Sequence, residues 1–186
     1  MTPDQIGQMV DNLRRFEGAS TWMYLDTHDP PLVTVGIGVM LPTVGDAVAL
    51  PFRCIGADRG ATENEVAAAY ARVQRMRGGM GLSYYHGVTD IELPPEEVTA
   101  LAERRLDGVF LPGLQQQFHA WDALPFPAQE VLIDMAWNLG LTGLAKFRNL
   151  AAAVDRRDWA RAADESHVST SRPARNEWRA ETFRSC

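Results

Sequence analysis

The chain has 186 residues, 46% of them hydrophobic and 23% charged, with a formal net charge of −6. That much apolar material can bury a core without disulfide or metal staples, which excludes general disorder. The excess of Asp and Glu (24) over Lys and Arg (18) argues against sequence-independent nucleic-acid binding.

Thr2, Pro3 and Gln5 form a helix start, with a capping residue, a proline at the first position and a glutamine three residues after the cap. Ile6, Met9, Val10 and Leu13 recur at helical spacing, and Gly18 is placed to terminate the helix, so Glu17 falls in its last turn. The first residues lack a basic region and an apolar run, so no signal peptide is expected. From 19 to 41, Trp22, Tyr24, Val33, Thr34, Val35, Ile37 and Val39 surround the turn-rich centre Asp26 to Pro31, which predicts an antiparallel hairpin or meander. Residues 42 to 61 show no clear period and are expected to be an irregular insertion. The apolar stretch Leu32 to Phe52 is broken by glycines and prolines, so no membrane span is expected.

A second capping box, Thr62 with Glu65, opens a helix expected to reach about Arg77. Further helices are expected from Pro94 to about Phe110, and then to about His119. Pro127 opens the most apolar helix, through Val131, Leu132, Ile133, Met135, Ala136 and Leu139, which is expected to be buried and central. Three short helices follow, near 144–155, 158–166 and 173–184. The fold class is therefore α+β: a small β lobe at about 18–61 and a larger helical lobe of 1–17 and 62–186. A cleft between the lobes is expected as the ligand site.

The chemistry concentrates between Glu17 and Gly38. Asp26 follows Glu17 after eight intervening residues, and Thr34 follows Asp26 after seven. Two carboxylates on different elements facing one cleft suit glycosidic bond cleavage: one protonates the leaving oxygen, and the other steadies positive charge or activates water. A threonine hydroxyl can hold that water. On spacing alone, each acid also has an ordinary reading, Glu17 as a solvated helix end and Asp26 as a turn former satisfying the backbone.

Glu17-Gly18, Tyr24, Asp26, Thr34 and Gly36-Ile37-Gly38 together resemble the active-site segment of the phage-type lysozymes, the muramidases of glycoside hydrolase family 24. The Asp-to-Thr interval is two residues longer than in that family, which the turn from His28 to Pro31 absorbs. Val131 to Gly140 resembles the family's buried central helix, Thr142 to Phe147 the segment after it, and Pro173, Arg175, Thr182, Phe183 and Arg184 its C-terminal order. Leu41 to Ala61 is the part least matched.

The resemblance implies a single lysozyme-like catalytic domain over 1–186 that hydrolyses the β-1,4 bond between N-acetylmuramic acid and N-acetylglucosamine. Glu17 would be the general acid, and Asp26 and Thr34 would position and activate water on the opposite face of the sugar. The family inverts configuration, so the carboxyl groups would stand roughly 6.5–9.5 Å apart. Arg175 matches an arginine that pairs with the catalytic glutamate, and Trp137 and Asn138 match positions lining the sugar cleft. Their ordinary alternatives are a surface arginine, a core aromatic and a satisfied core amide. No cofactor or metal is implied. The implied partners are peptidoglycan glycan strands and, for a secreted antibacterial effector, an immunity or inhibitor protein; nucleic acid and membrane insertion are not expected. Either setting, phage endolysin or effector, places action in the periplasm or on the wall after delivery by a holin or a secretion system.

Other readings stay open. A lytic transglycosylase needs one acid and the substrate's own hydroxyl. A non-catalytic peptidoglycan- or protein-binding module could share the fold. Asp26, His28 and Asp29 cluster in sequence, but His86, His119 and His167 are scattered, so turn capping is favoured over a metal site. Cys54 and Cys186 allow one bridge or two free thiols and build neither a disulfide framework nor, alone, a zinc site.

Overall fold

The computed structural model describes residues 1–186 and has an α+β fold with a helical lobe. The chain divides into two compact units, one of residues 13–104 and one of residues 1–12 with 105–186.

The 13–104 unit holds both sheets. Helix α1 (Pro3–Glu17) ends in it, and β1 (Ser20–Leu25), β2 (Val33–Gly36) and β3 (Val39–Met40) follow as an antiparallel meander in the order β1-β2-β3. Helix α1 starts as its sequence dictates: the Thr2 N–H donates to Gln5 Oε1 at 2.8 Å, and the Gln5 N–H donates back to Thr2 Oγ1 at 3.3 Å. It stops at Gly18, whose N–H still closes the last turn on the Arg14 carbonyl at 2.9 Å and whose φ of 76° then takes the chain out of the helix. The register sets Tyr24 opposite Thr34 and Leu25 opposite Val33, and β1 is irregular between Ser20 and Tyr24. Within that irregular stretch the Ser20 hydroxyl donates to the Trp22 carbonyl at 2.7 Å.

Residues 42–61, expected to be irregular, contain a short helix α2 (Val44–Val48) and strand β4 (Arg53–Cys54). A reciprocal Thr43–Asp46 capping box starts α2, and β4 pairs antiparallel with β5 (Ile91–Glu92). These elements are too short to print a hydrophobic period on the sequence. Helix α3 (Glu63–Gln74) has the predicted Thr62–Glu65 box and buries Val66, Ala69, Tyr70 and Val73. It packs on β1 and β2. Packing against a helix supports strands as short as these. The Tyr70 hydroxyl donates to the Leu41 carbonyl at 3.0 Å and anchors the segment that leaves β3. The core here is Met23, Leu25, Val33, Val35, Ile37, Phe52, Tyr85 and Leu93. Helix α4 (Pro95–Arg105) closes the unit.

The other unit is helical. A π-helical stretch (Leu106–Phe110) runs into α5 (Leu111–Gln117), where Pro112 sits in the first turn and needs no N–H partner. Helix α6 (Phe126–Leu144) is buried almost all round from Ala128 to Ala136, as its composition predicted. It turns at Gly140, whose φ is 71°. Helices α7 (Arg148–Asp155), α8 (Trp159–Glu165) and α9 (Pro173–Arg184) follow, with α8 packed on α7 and α9, and α9 also on α6. No helix is long and apolar enough to cross a membrane. Both cysteine thiols are free.

Candidate active site

Glu17, Asp26 and Thr34 all belong to the 13–104 unit. Glu17 is the last residue of α1. Asp26 is the first residue after β1, and Thr34 lies in β2. The strand between the acids carries Tyr24, which reports on both of them. Burial, then the charge of Glu17, then that of Asp26, push the Tyr24 phenol well above its ordinary value, while the facing backbone N–H of Gly38 works in the opposite direction. Two carboxylates from different elements therefore act on one hydroxyl. Thr34 is the direct cross-strand partner of Tyr24, so the two side chains project from the same face of the sheet.

Asp26 is firmly held. Its Oδ1 accepts the backbone N–H groups of His28, at 3.1 Å, and Leu32, at 2.8 Å. Its own N–H donates to the Leu32 carbonyl at 3.0 Å, closing the loop between β1 and β2. Its Oδ2 lies 2.8 Å from His28 Nδ1. The turn-capping reading of Asp26 and its candidacy as a site residue thus coexist: one oxygen serves the backbone and the other faces a side chain. Thr34 is buried and donates its hydroxyl proton to the Leu32 carbonyl at 3.1 Å, which leaves its oxygen as an acceptor.

Aromatic packing surrounds this region. The Tyr24 and Tyr85 rings have centroids 6.3 Å apart, and Tyr85 donates to the Arg77 carbonyl at 2.7 Å. Trp22 meets the His86 ring edge-on at 4.6 Å and donates its indole N–H to the Leu82 carbonyl at 3.2 Å. A separate cavity of about 340 Å³ in the same unit is lined by Cys54, Arg59, Glu65, Arg72, Thr89 and Asp90 among others, and by none of the three candidate residues. No three His, Cys, Asp or Glu side chains gather so as to hold a metal ion.

The remaining candidates lie in the helical unit. Arg175 is buried and grips Asp134, with Nε at 3.0 Å and Nη2 at 2.8 Å from Oδ1. Arg179, one turn on, donates Nε to Asp134 Oδ2. Asn138 Oδ1 accepts from the Ser171 hydroxyl at 2.8 Å and from Arg179 Nη2 at 3.2 Å. Trp137 packs on Phe110, with centroids 5.0 Å apart. The Asn138 carbonyl oxygen is therefore tied into a partly buried polar network.

Sequence reasoning gave no role to Asp134 or Arg179; it took Tyr24 only as the aromatic of the motif, and His28 as part of a turn and a discounted metal ligand. A signal was present for the first two. An aspartate within Val131 to Ala136 needs a buried cation, and Arg175 and Arg179 stand four residues apart on one helix face. No family model matches this chain, and no curated protein matches it.

Proposed function

We propose that this chain is a peptidoglycan muramidase that inverts configuration as it cleaves the β-1,4 bond between N-acetylmuramic acid and N-acetylglucosamine. The observation that carries the reading is the convergence of Glu17 and Asp26 on Tyr24, with Thr34 on the same face. In this reading Glu17 protonates the glycosidic oxygen as the C–O bond breaks. Asp26 accepts a proton from the attacking water, and the acceptor oxygen of Thr34 orients that water. The resemblance in sequence to the phage-type lysozymes supplies the substrate. Trp137 and Asn138 as sugar-binding residues and Arg175 as support for Glu17 belong to the same proposal. So do an immunity or inhibitor protein as partner and action on the wall after delivery.

Digestion of purified peptidoglycan by wild type and by Glu17→Gln, with products identified by mass spectrometry, tests this reading. Muropeptides with reducing muramic ends, lost in the variant, are the expected result. A folded wild type that releases nothing overturns it.

A further inference from the structure

The Asp26 carboxylate has two oxygens with different duties. Oδ1 is occupied by two backbone N–H groups of its own loop, those of His28 and Leu32. Oδ2 has no backbone donor among its hydrogen bonds, and the group facing it is the His28 imidazole, with Nδ1 at 2.8 Å. The Asp26 side chain is 13% exposed and the His28 side chain 61% exposed. The imidazole therefore contributes little to the core. Its position is set by the turn, because its own backbone N–H is one of the donors to Oδ1. One residue thus holds both carboxylate oxygens, one through its backbone and one through its ring.

We propose that His28 is a positioning residue for Asp26, fixing the rotation of the carboxylate so that Oδ2 presents a lone pair to the attacking water. This rests on the muramidase reading above. Two donors on Oδ1 anchor one oxygen but leave the carboxylate plane free to rock about it. The third donor, on Oδ2, fixes the plane. A hydrogen bond from Nδ1 requires a proton on that nitrogen, which the facing carboxylate favours. The backbone bond to Oδ1 survives any substitution of the His28 side chain, so the turn is expected to persist in variants. Asn is the informative replacement, because its Nδ2 can take the place of Nδ1 and supply an N–H without an imidazole.

The test measures kcat and KM on soluble glycan chains for wild type, His28→Ala and His28→Asn, together with the imidazole ¹⁵N shifts of wild type and Asp26→Ala. The expected result is a kcat about 10- to 100-fold lower for His28→Ala with KM unchanged, since misplacing a reacting group by about 1 Å costs up to about 100-fold in rate. His28→Asn recovers most of the loss. The ¹⁵N shifts report the Nδ1–H tautomer of neutral His28 in wild type and its loss in Asp26→Ala. An active wild type matched by His28→Ala overturns the positioning role alone. So does a His28→Ala loss that Asn does not recover, or one carried in KM. A wild type without turnover overturns the muramidase reading and this role with it, whatever the ¹⁵N shifts show.

Discussion

Asp134 and Arg175 form a buried ion pair in the helical unit, with the guanidinium 2.8 Å from the carboxylate and side-chain exposures of 1% and 7%. Arg179, with no exposed side-chain surface, donates to the other oxygen of the same carboxylate. One aspartate therefore answers two buried cations, and Ser171, Asn138 and Asn176 accept the further N–H groups of Arg179. Removing one member of such a set strips buried charge of a partner, which costs about 3–5 kcal/mol. Asp134→Ala is expected to lower Tm by roughly 10 °C, at about 2–4 °C per kcal/mol for a chain of this size. Thermal unfolding followed by circular dichroism checks this. A shift of only a degree or two would mean that the other partners of the arginines sustain them.

The two candidate acids predict a loss of rate that can be measured residue by residue. Glu17→Gln and Asp26→Asn each remove one acid–base partner and are expected to lower kcat by about 10²- to 10⁴-fold in a protein that stays folded. Because the proposed reaction inverts, the first product detected by proton NMR should be the α-anomer at the new reducing end. Full activity in Asp26→Asn, with anhydro-muramic ends in the products, would instead establish the lytic transglycosylase reading.

Much of this architecture was legible in the sequence because it rests on local chemistry. The Thr2–Gln5 and Thr62–Glu65 boxes and Gly18 mark helix limits within a few residues of themselves. The apolar run of α6 declares its own burial. Strands β4 and β5 were not legible, since two-residue strands that pair across 37 residues of chain leave no alternation to detect. The candidate acids were legible as a spacing, but the hold on Asp26 was not. The donors from His28 and Leu32 converge only once the loop has closed through the bond between the Asp26 N–H and the Leu32 carbonyl. The grip of α9 on Asp134 likewise joins residues 41 and 45 positions apart.

Tyr24, Tyr70 and Tyr85 all have phenols raised above their ordinary value, each mainly by burial. A group whose folded pKa lies above its unfolded one contributes stability that is complete below the unfolded value, about 10 for tyrosine, and is lost as pH rises beyond it. The urea midpoint is therefore expected to fall between pH 9 and pH 11. Tyr24→Phe should flatten that fall, because it removes a phenol raised first by burial and then by the charges of Glu17 and Asp26. Parallel curves for wild type and variant would mean that the Tyr24 phenol is not raised on folding.

Glu130 is a buried acid on α6 whose Oε1 accepts from both Gln8 Nε2 and Asn12 Nδ2, each at 2.9 Å. Burial raises its pKa, and the two amide donors offset that only in part. The folded state therefore favours the protonated acid. Its contribution is complete in acid, below the unfolded value near 4.3, and declines as pH rises through the folded value. Glu130→Gln keeps an oxygen for both amides and removes the ionisation. The variant is expected to match or exceed wild-type stability at pH 7 and to lose that advantage towards pH 4. Denaturant unfolding at the two pH values decides the matter, and a variant less stable at pH 7 than at pH 4, relative to wild type, would reverse the assigned sign.

Two helical glycines separate backbone propensity from packing. Gly7 lies within α1, and a Cβ there would meet nothing within 4 Å. Alanine has the better helix propensity by about 1 kcal/mol, so Gly7→Ala should raise stability by up to that amount. Gly113 lies within α5, where a Cβ would come within 2.3 Å of Leu141 Cδ1 and 3.1 Å of its Cγ. The same propensity gain is available there, but the whole Leu141 side chain has to move, and overpacking of this kind costs about 1–3 kcal/mol. The packing term is the larger at its midpoint, so Gly113→Ala is expected to be net destabilising. The two variants should therefore shift Tm in opposite directions. An equal rise in both would mean that Leu141 swings aside freely, and that the close approach of α5 to the segment after Gly140 does not depend on a glycine at position 113.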